Sequence, residues 1–275
     1  MAHGVKDVPL NDGTTIPQLG LGVFQMTPEQ AEAAVIEAHR AGYRLVDSAA
    51  GYENEAAVGR AVAQVGRDSL YVTTKLKNDD HGFDEALKAF DTSMAELGFD
   101  TLDLYLIHWP APARERFVET WRALIRLREE GRVRSIGVSN FEPHHLQRLV
   151  DETGVVPTVN QVELHPLHQQ SALREVHQRL GIVTEAWSPL GQGQLDMLSH
   201  PTLAGIAREH DATPAQVVIA WHLAIGNVVI PKSVTPARIA ENLASAAVEL
   251  SDAELDQVGA LDTNTRIGPH PDYFN

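Results

Sequence analysis

The chain contains no cysteine, which excludes disulfides, thiolate nucleophiles and cysteine-based metal sites at once. Long apolar runs are missing too. The stretches at Val155–Val156 and Val217–Leu223 fall well short of the ~20 residues that span a bilayer. The opening Met1-Ala2-His3-Gly4-Val5-Lys6-Asp7 lacks the apolar core of a secretion signal, so the cytoplasm is the expected compartment. Positive charge is scarce, with 22 Lys and Arg against 37 Asp and Glu and a net charge of −15. Such a surface repels nucleic acid and anionic lipid, so the places where the few cations gather become informative. No Gly-x-Gly-x-x-Gly opens a helix, and a Rossmann dinucleotide domain is not expected.

What is present is a repeat of short apolar strands and longer helical stretches. Strands are predicted at 17–22, 43–47, 70–75, 102–108, 134–139, 158–163, 182–187 and 227–231, and helices near 28–41, 54–66, 83–97, 115–131, 142–152, 169–180, 201–210 and 236–246. Strand ends placed at Gly22, Asp47, Lys75, His108, Ser139, Glu163 and Trp187 are 24 to 33 residues apart, and 44 residues then separate Trp187 from Pro231. Even spacing over 275 residues without a linker fits one (β/α)8 TIM barrel, which takes about 250 residues, and a single domain over 1–275 is expected. Three additions are read from the sequence. Asn11-Asp12-Gly13 marks an N-terminal β-hairpin that would plug the barrel bottom. The long interval after Trp187 implies an extra loop over the strand ends. Ser251-Asp252-Ala253-Glu254 is a capping box for an additional C-terminal helix at about 251–261, followed by an irregular tail to Asn275.

In such a barrel chemistry takes place at the carboxyl ends of the strands. Three consecutive strands there close on titratable groups, Asp47, Lys75 and His108, and Tyr52 follows Asp47 by five residues. A carbonyl oxygen whose carbon receives a hydride needs a proton donor, and a phenol serves when its anion is stabilised. Lys75 would lower the phenol's pKa, Asp47 would neutralise and place the ammonium, and His108 would hydrogen-bond the developing oxyanion. Each residue alone also has an ordinary structural reading. Four on adjacent strand ends make a site.

Several segments carry a resemblance: Asp47-Ser48-Ala49-Ala50-Gly51-Tyr52, Thr74-Lys75-Leu76, Ile107-His108-Trp109-Pro110, Gly137-Val138-Ser139-Asn140-Phe141, Asn160-Gln161-Val162-Glu163-Leu164-His165-Pro166 and Ile230-Pro231-Lys232-Ser233. In order and over nearly the whole chain they resemble the aldo-keto reductases. Ala186-Trp187-Ser188-Pro189-Leu190-Gly191-Gln192-Gly193 brings the chain nearest to the bacterial 2,5-diketo-D-gluconate reductases. The resemblance implies NADPH-dependent reduction of aldehydes or ketones, among them α-dicarbonyls and keto-sugars, with the catalytic tetrad Asp47, Tyr52, Lys75 and His108. It also implies that Ser139, Asn140 and Gln161 hold the nicotinamide carboxamide and that Trp187 stacks on the ring. Ser188, Leu190, Gln192 and Gly193, in and beside the Pro189–Gln194 loop, would cover the pyrophosphate, and Glu241 and Asn242 would meet the adenine. Lys232, Ser233, Val234 and Arg238, at the start of the last barrel helix, form a local basic pocket suited to the 2′-phosphate.

The chain departs from the pattern at Lys77, where the family commonly carries an aromatic residue. Pointing inward, Lys77 would attract anionic substrates; pointing outward, it would say little. Phe24, Trp109 and residues of the tail 262–275 are the other expected substrate walls. No metal is expected: His144-His145, His165 and His168 do not fall at strand ends as a barrel metallohydrolase would need. A cofactor-binding regulatory protein on the same fold is the second alternative. A monomer is expected.

Overall fold

A computed structural model of the chain describes residues 4–275; the start of the polar amino-terminal segment lies outside the described residues. Strands β1 (Asp7–Pro9) and β2 (Thr15–Pro17) form the expected antiparallel hairpin, with Val8 opposite Ile16. Eight parallel strands follow: β3 (Leu21–Gly22), β4 (Leu45–Asp47), β5 (Tyr71–Leu76), β6 (Leu102–Ile107), β7 (Val133–Ser139), β8 (Val159–Glu163), β9 (Val183–Trp187) and β10 (Val228–Val229). They neighbour one another in chain order. A parallel bridge between Leu19 and Val229, and the Gly20 N–H on the Val229 carbonyl at 2.9 Å, join the first strand to the last and close the barrel.

The outer ring consists of α1 (Pro28–Ala41), α2 (Glu55–Val65), α3 (Phe83–Leu97), α4 (Phe117–Glu129), α5 (Pro143–Thr153), α6 (Ser171–Leu180), α7 (Pro201–Glu209), α8 (Pro214–Ala224) and α9 (Pro236–Ala244), with α10 (Asp252–Gly259) appended. Local chemistry sets the ends. Thr27 caps α1 in a reciprocal box with Gln30, with Pro28 at the first position, and Ser251 and Glu254 form the box that opens α10.

Two apolar clusters divide the work. One fills the layer between the sheet and the helices, with residues such as Val35, Val62, Phe90, Trp121 and Ile219. The other lies inside the barrel, where Leu10 and Ile16 beside the hairpin pack against Leu45, Leu104, Val159 and Val228. Leu45, Val159 and Val228 are the first residues of their strands, so the hairpin stoppers the amino-terminal end as expected. The opposite end stays open.

One helix differs from expectation. α8 occupies part of the long interval after Trp187, between the helix predicted to end at 210 and the strand predicted to start at 227, where no element is expected. Its Val217–His222 segment is buried on every side, so the helix lacks the polar stripe by which helices are recognised in sequence. Thr213 and Gln216 cap it in a box that the sequence displays plainly. No helix among the described residues is long and apolar enough to cross a membrane.

Candidate active site

Lys75 projects into the barrel from β5 with no exposed surface. Its ammonium donates to both carboxylate oxygens of Asp47, at 2.8 and 2.7 Å, and to the Ser48 carbonyl at 2.8 Å. Tyr52 sits on a single 3-10 turn, Ala50–Tyr52, which follows β4 and returns its hydroxyl to 3.4 Å from Lys75 Nζ. Asn54 holds that turn in place. Buried behind it, Asn54 accepts from Ser48 Oγ at 3.0 Å and donates to the carbonyls of Val23 and Met26. The His108 ring lies edge-on to Tyr52 with centroids 5.7 Å apart. The four residues singled out by strand-end position are thus brought together.

Burial, the largest single influence on Lys75, works to lower its pKa, but Asp47 and Tyr52 outweigh it and hold the amine above its ordinary value, as an ammonium. For Tyr52 burial comes first and raises the pKa, while Lys75 pulls it down and Asp47 and Glu185 push it back up. The net direction is upward, opposite to the expectation from the Lys75 charge alone. The main reason is burial, which the pull of Lys75 offsets only in part because Asp47 and Glu185 oppose it. In this state the phenol keeps its proton. Burial, and then the Lys75 charge, push His108 down to about 3, so its imidazole is neutral.

Below this pair lies a group that the strand-end reading missed. Gln161 Nε2 donates to Asp47 Oδ1 at 2.8 Å and to Glu185 Oε2 at 3.0 Å. Glu185 is fully buried, its Oε1 has no partner among the described residues, and burial together with the Asp47 charge raises its carboxyl to about 8. It lies two residues before Trp187 on the same face of β9, and that alternation was the available signal.

The expected nicotinamide-side residues form one network. Ser139 Oγ donates to the Gln161 carbonyl at 2.7 Å, Asn140 donates to the His108 carbonyl at 3.0 Å, and Asn140 Oδ1 accepts the Trp187 indole N–H at 2.8 Å. Asn140 adopts a φ of 63°, which turns its amide towards Trp187. These residues, with Asp47, Tyr52 and His108, line a cavity of about 960 Å³ at the open end of the barrel. Ser188, Leu190, Gln192, Gly193, Lys232 and Arg238 reach its wall too. So do Phe24, Trp109 and Lys77, the last half-buried.

Four expected cofactor residues stand away from this wall. Ser233 Oγ accepts the Thr235 N–H at 3.1 Å and Val234 faces solvent. Glu241 is tied to the unforeseen α8, accepting from Thr213 Oγ at 2.6 Å and, at its carbonyl, from Gln216 at 3.2 Å; Asn242 is buried beside it. Conversely, Ile267, Gly268, Pro269 and Phe274 of the tail line the cavity, and Phe274 packs on Trp109 with centroids 4.6 Å apart. They belong to the tail expected to supply substrate walls, though pattern alone does not say which of its residues reach the cavity.

One grouping of metal-ligand type occurs among the described residues, formed by His144, His145 and Asp272, whose ligand atoms lie within 4.8 Å of one another. His145 Nδ1 accepts the Glu142 N–H at 3.2 Å, which leaves its proton on Nε2, facing Asp272 at 3.7 Å. A protonated Nε2 has no lone pair for a cation. The cluster is a tether between the tail and the start of α5.

A closed barrel whose open end carries this ionisable cluster has the form of a barrel enzyme. Residues 17–263 match the aldo/keto reductase family, and the chain belongs to that family of oxidoreductases. An aldo-keto reductase of Mycolicibacterium smegmatis is 55% identical over 270 residues, covering 98% of each chain. Methylglyoxal reductase DkgA of Escherichia coli K12 is 49% identical over 269 residues, covering 97% of each. Among solved structures, a mutant of Gox0644 in complex with NADPH superposes with a TM-score of 0.95 at 47% identity, over 98% of this chain and 99% of that one.

Proposed function

We propose that the protein reduces aldehydes and ketones to alcohols with NADPH, Tyr52 acting as general acid. The observation that carries this reading is the 3.4 Å approach of the Tyr52 hydroxyl to a fully buried Lys75 ammonium, itself held by Asp47, at the wall of the cavity. The residues present fit the cofactor. Amide and hydroxyl groups of Ser139, Asn140 and Gln161 gather beside an indole fixed through its N–H, and Lys232 and Arg238 stand exposed near the start of α9 without ion-pair partners among the described residues. Bound there, NADPH would supply the hydride. Tyr52 would then pass its proton to the carbonyl oxygen, and Lys75 would stabilise the phenolate that results. Neutral His108 would orient the same oxygen through a hydrogen bond.

A cavity of this size admits an α-oxo aldehyde or a keto-sugar, and methylglyoxal, named for the Escherichia coli relative, is the first substrate to test. Loss of nicotinamide absorbance measures turnover. Tyr52→Phe should lower kcat/KM by roughly 100- to 10,000-fold, the span of general acid catalysis, while NADPH binding measured by fluorescence persists. Undiminished turnover in that variant sinks the assignment. We further propose a cytoplasmic, monomeric enzyme of one domain.

A further inference from the structure

The motif Asn160-Gln161-Val162-Glu163-Leu164-His165-Pro166 contains an acid that the reduction chemistry does not use. Glu163 ends β8 with no exposed surface. Its Oε1 accepts the Ile267 N–H at 2.7 Å and the His165 Nε2–H at 3.1 Å, and its Oε2 accepts the Gly268 N–H at 2.7 Å. Burial works to raise its pKa, but these three donors outweigh burial and keep it ionised. A buried carboxylate at the barrel mouth thus grips two successive amides of a segment more than 100 residues further along the chain.

The fit is tight on the other side as well. A Cβ on Gly268 would fall 2.6 Å from the Trp187 ring and 2.9 Å from Glu163 Oε2, so the backbone there rests directly on both residues. The tail is held elsewhere too, by Phe274 packed on Trp109 at the cavity wall and by polar contacts. Asp272 meets His144 at 3.2 Å, Arg266 meets Glu142 at 3.7 Å, and Thr265 N–H reaches the Leu167 carbonyl at 2.9 Å.

We propose that Glu163 is a positioning residue for the substrate site: by clamping the amides of Ile267 and Gly268 it fixes the tail as one wall of the cavity and so sets the size of carbonyl compound held against Tyr52. The substrate part of this inference rests on the reductase reading; the clamp itself does not. Compounds that reach the tail, such as aryl aldehydes and aryl ketones, feel the clamp, and a three-carbon dicarbonyl does not.

The experiment measures amide hydrogen exchange of the tail in the full chain, then kinetics. In Glu163→Gln one acceptor becomes a donor that faces the Gly268 N–H. Exchange at Ile267 and Gly268 should rise roughly 10- to 100-fold, the scale of a lost hydrogen bond to a charged group. KM for an aryl aldehyde should rise by a similar factor while kcat, and both constants for methylglyoxal, stay near wild type. Gly268→Ala displaces the same segment without altering β8. It should reproduce the rise in exchange and in KM for the aryl aldehyde, and in both the double variant should be no worse than the worse single. Unchanged exchange, or additive losses in the double variant, overturns the proposal. A parallel fall of kcat and KM effects for both substrates overturns it too, because that marks general damage. Exchange is read without turnover, so a protein that reduces nothing still answers the question of the clamp.

Discussion

Glu185 is held inside the barrel at a cost. With its carboxyl raised to about 8 from an ordinary 4.5, folding takes up a proton wherever the pH lies between those values. Below 4.5 both states are protonated and the residue adds no pH dependence. Between 4.5 and about 8 the unfolded chain ionises while the folded one does not, so this residue makes stability fall as pH rises, until both states are ionised above about 8. Glu185→Gln removes that slope. Urea denaturation across the same window should show the variant gaining on the wild type as pH increases, and a constant difference refutes the assignment. At this scale the sequence was most legible where chemistry coincided with the end of a strand. Asp47, Lys75 and His108 announce themselves by standing where an apolar run stops. Glu185 lies one step down the barrel, among residues that pattern alone assigns to the core. Glu163 was visible, but its partners are backbone amides of a distant segment, which carry no side-chain signature.

Helix α9 follows the last strand with Pro236 at its first position and no side-chain cap, and Lys232 and Arg238, the latter in its first turn, reach the cavity rim. In the proposed reading, a helix start and two cations would serve as an anion site on a chain of net charge −15. Arg238→Ala should weaken NADPH roughly 10-fold or more and leave NADH nearly unaffected, as measured by fluorescence titration with both. Equal weakening refutes the 2′-phosphate assignment. Helices with one apolar stripe, such as α1 and α3, were read from sequence at nearly their observed bounds, because periodicity is a surface property. α8 is enclosed all round and shows no period. Glu241 is joined to that helix, accepting from Thr213 Oγ at 2.6 Å, a contact that only the fold reveals.

The barrel is closed by the Leu19–Val229 bridge and stoppered by the hairpin, and its interior and outer clusters share the same strands. Such a body has no internal boundary at which part of it would melt alone. Its four tryptophans sit in different places, Trp109 and Trp187 at the mouth, Trp121 in α4 and Trp221 in α8. Tryptophan fluorescence and far-ultraviolet circular dichroism should therefore give one coincident urea transition. Two separated transitions would disprove the single domain. The architecture was legible because eight strand–helix units recur at similar intervals. The course of the tail was not, because it obeys no repeat and takes its shape from the rim it crosses.

Free amines condense with aldehydes to form imines, and an enzyme that admits reactive carbonyl compounds risks losing its own lysine to them. Lys75 escapes. All of its ammonium hydrogens are directed at Asp47, Ser48 and Tyr52, no part of it meets solvent, and its affinity for the third proton is raised. Without a lone pair it is no nucleophile, so under the proposed mechanism the residue that steadies the phenol is immune to the compound the phenol would protonate.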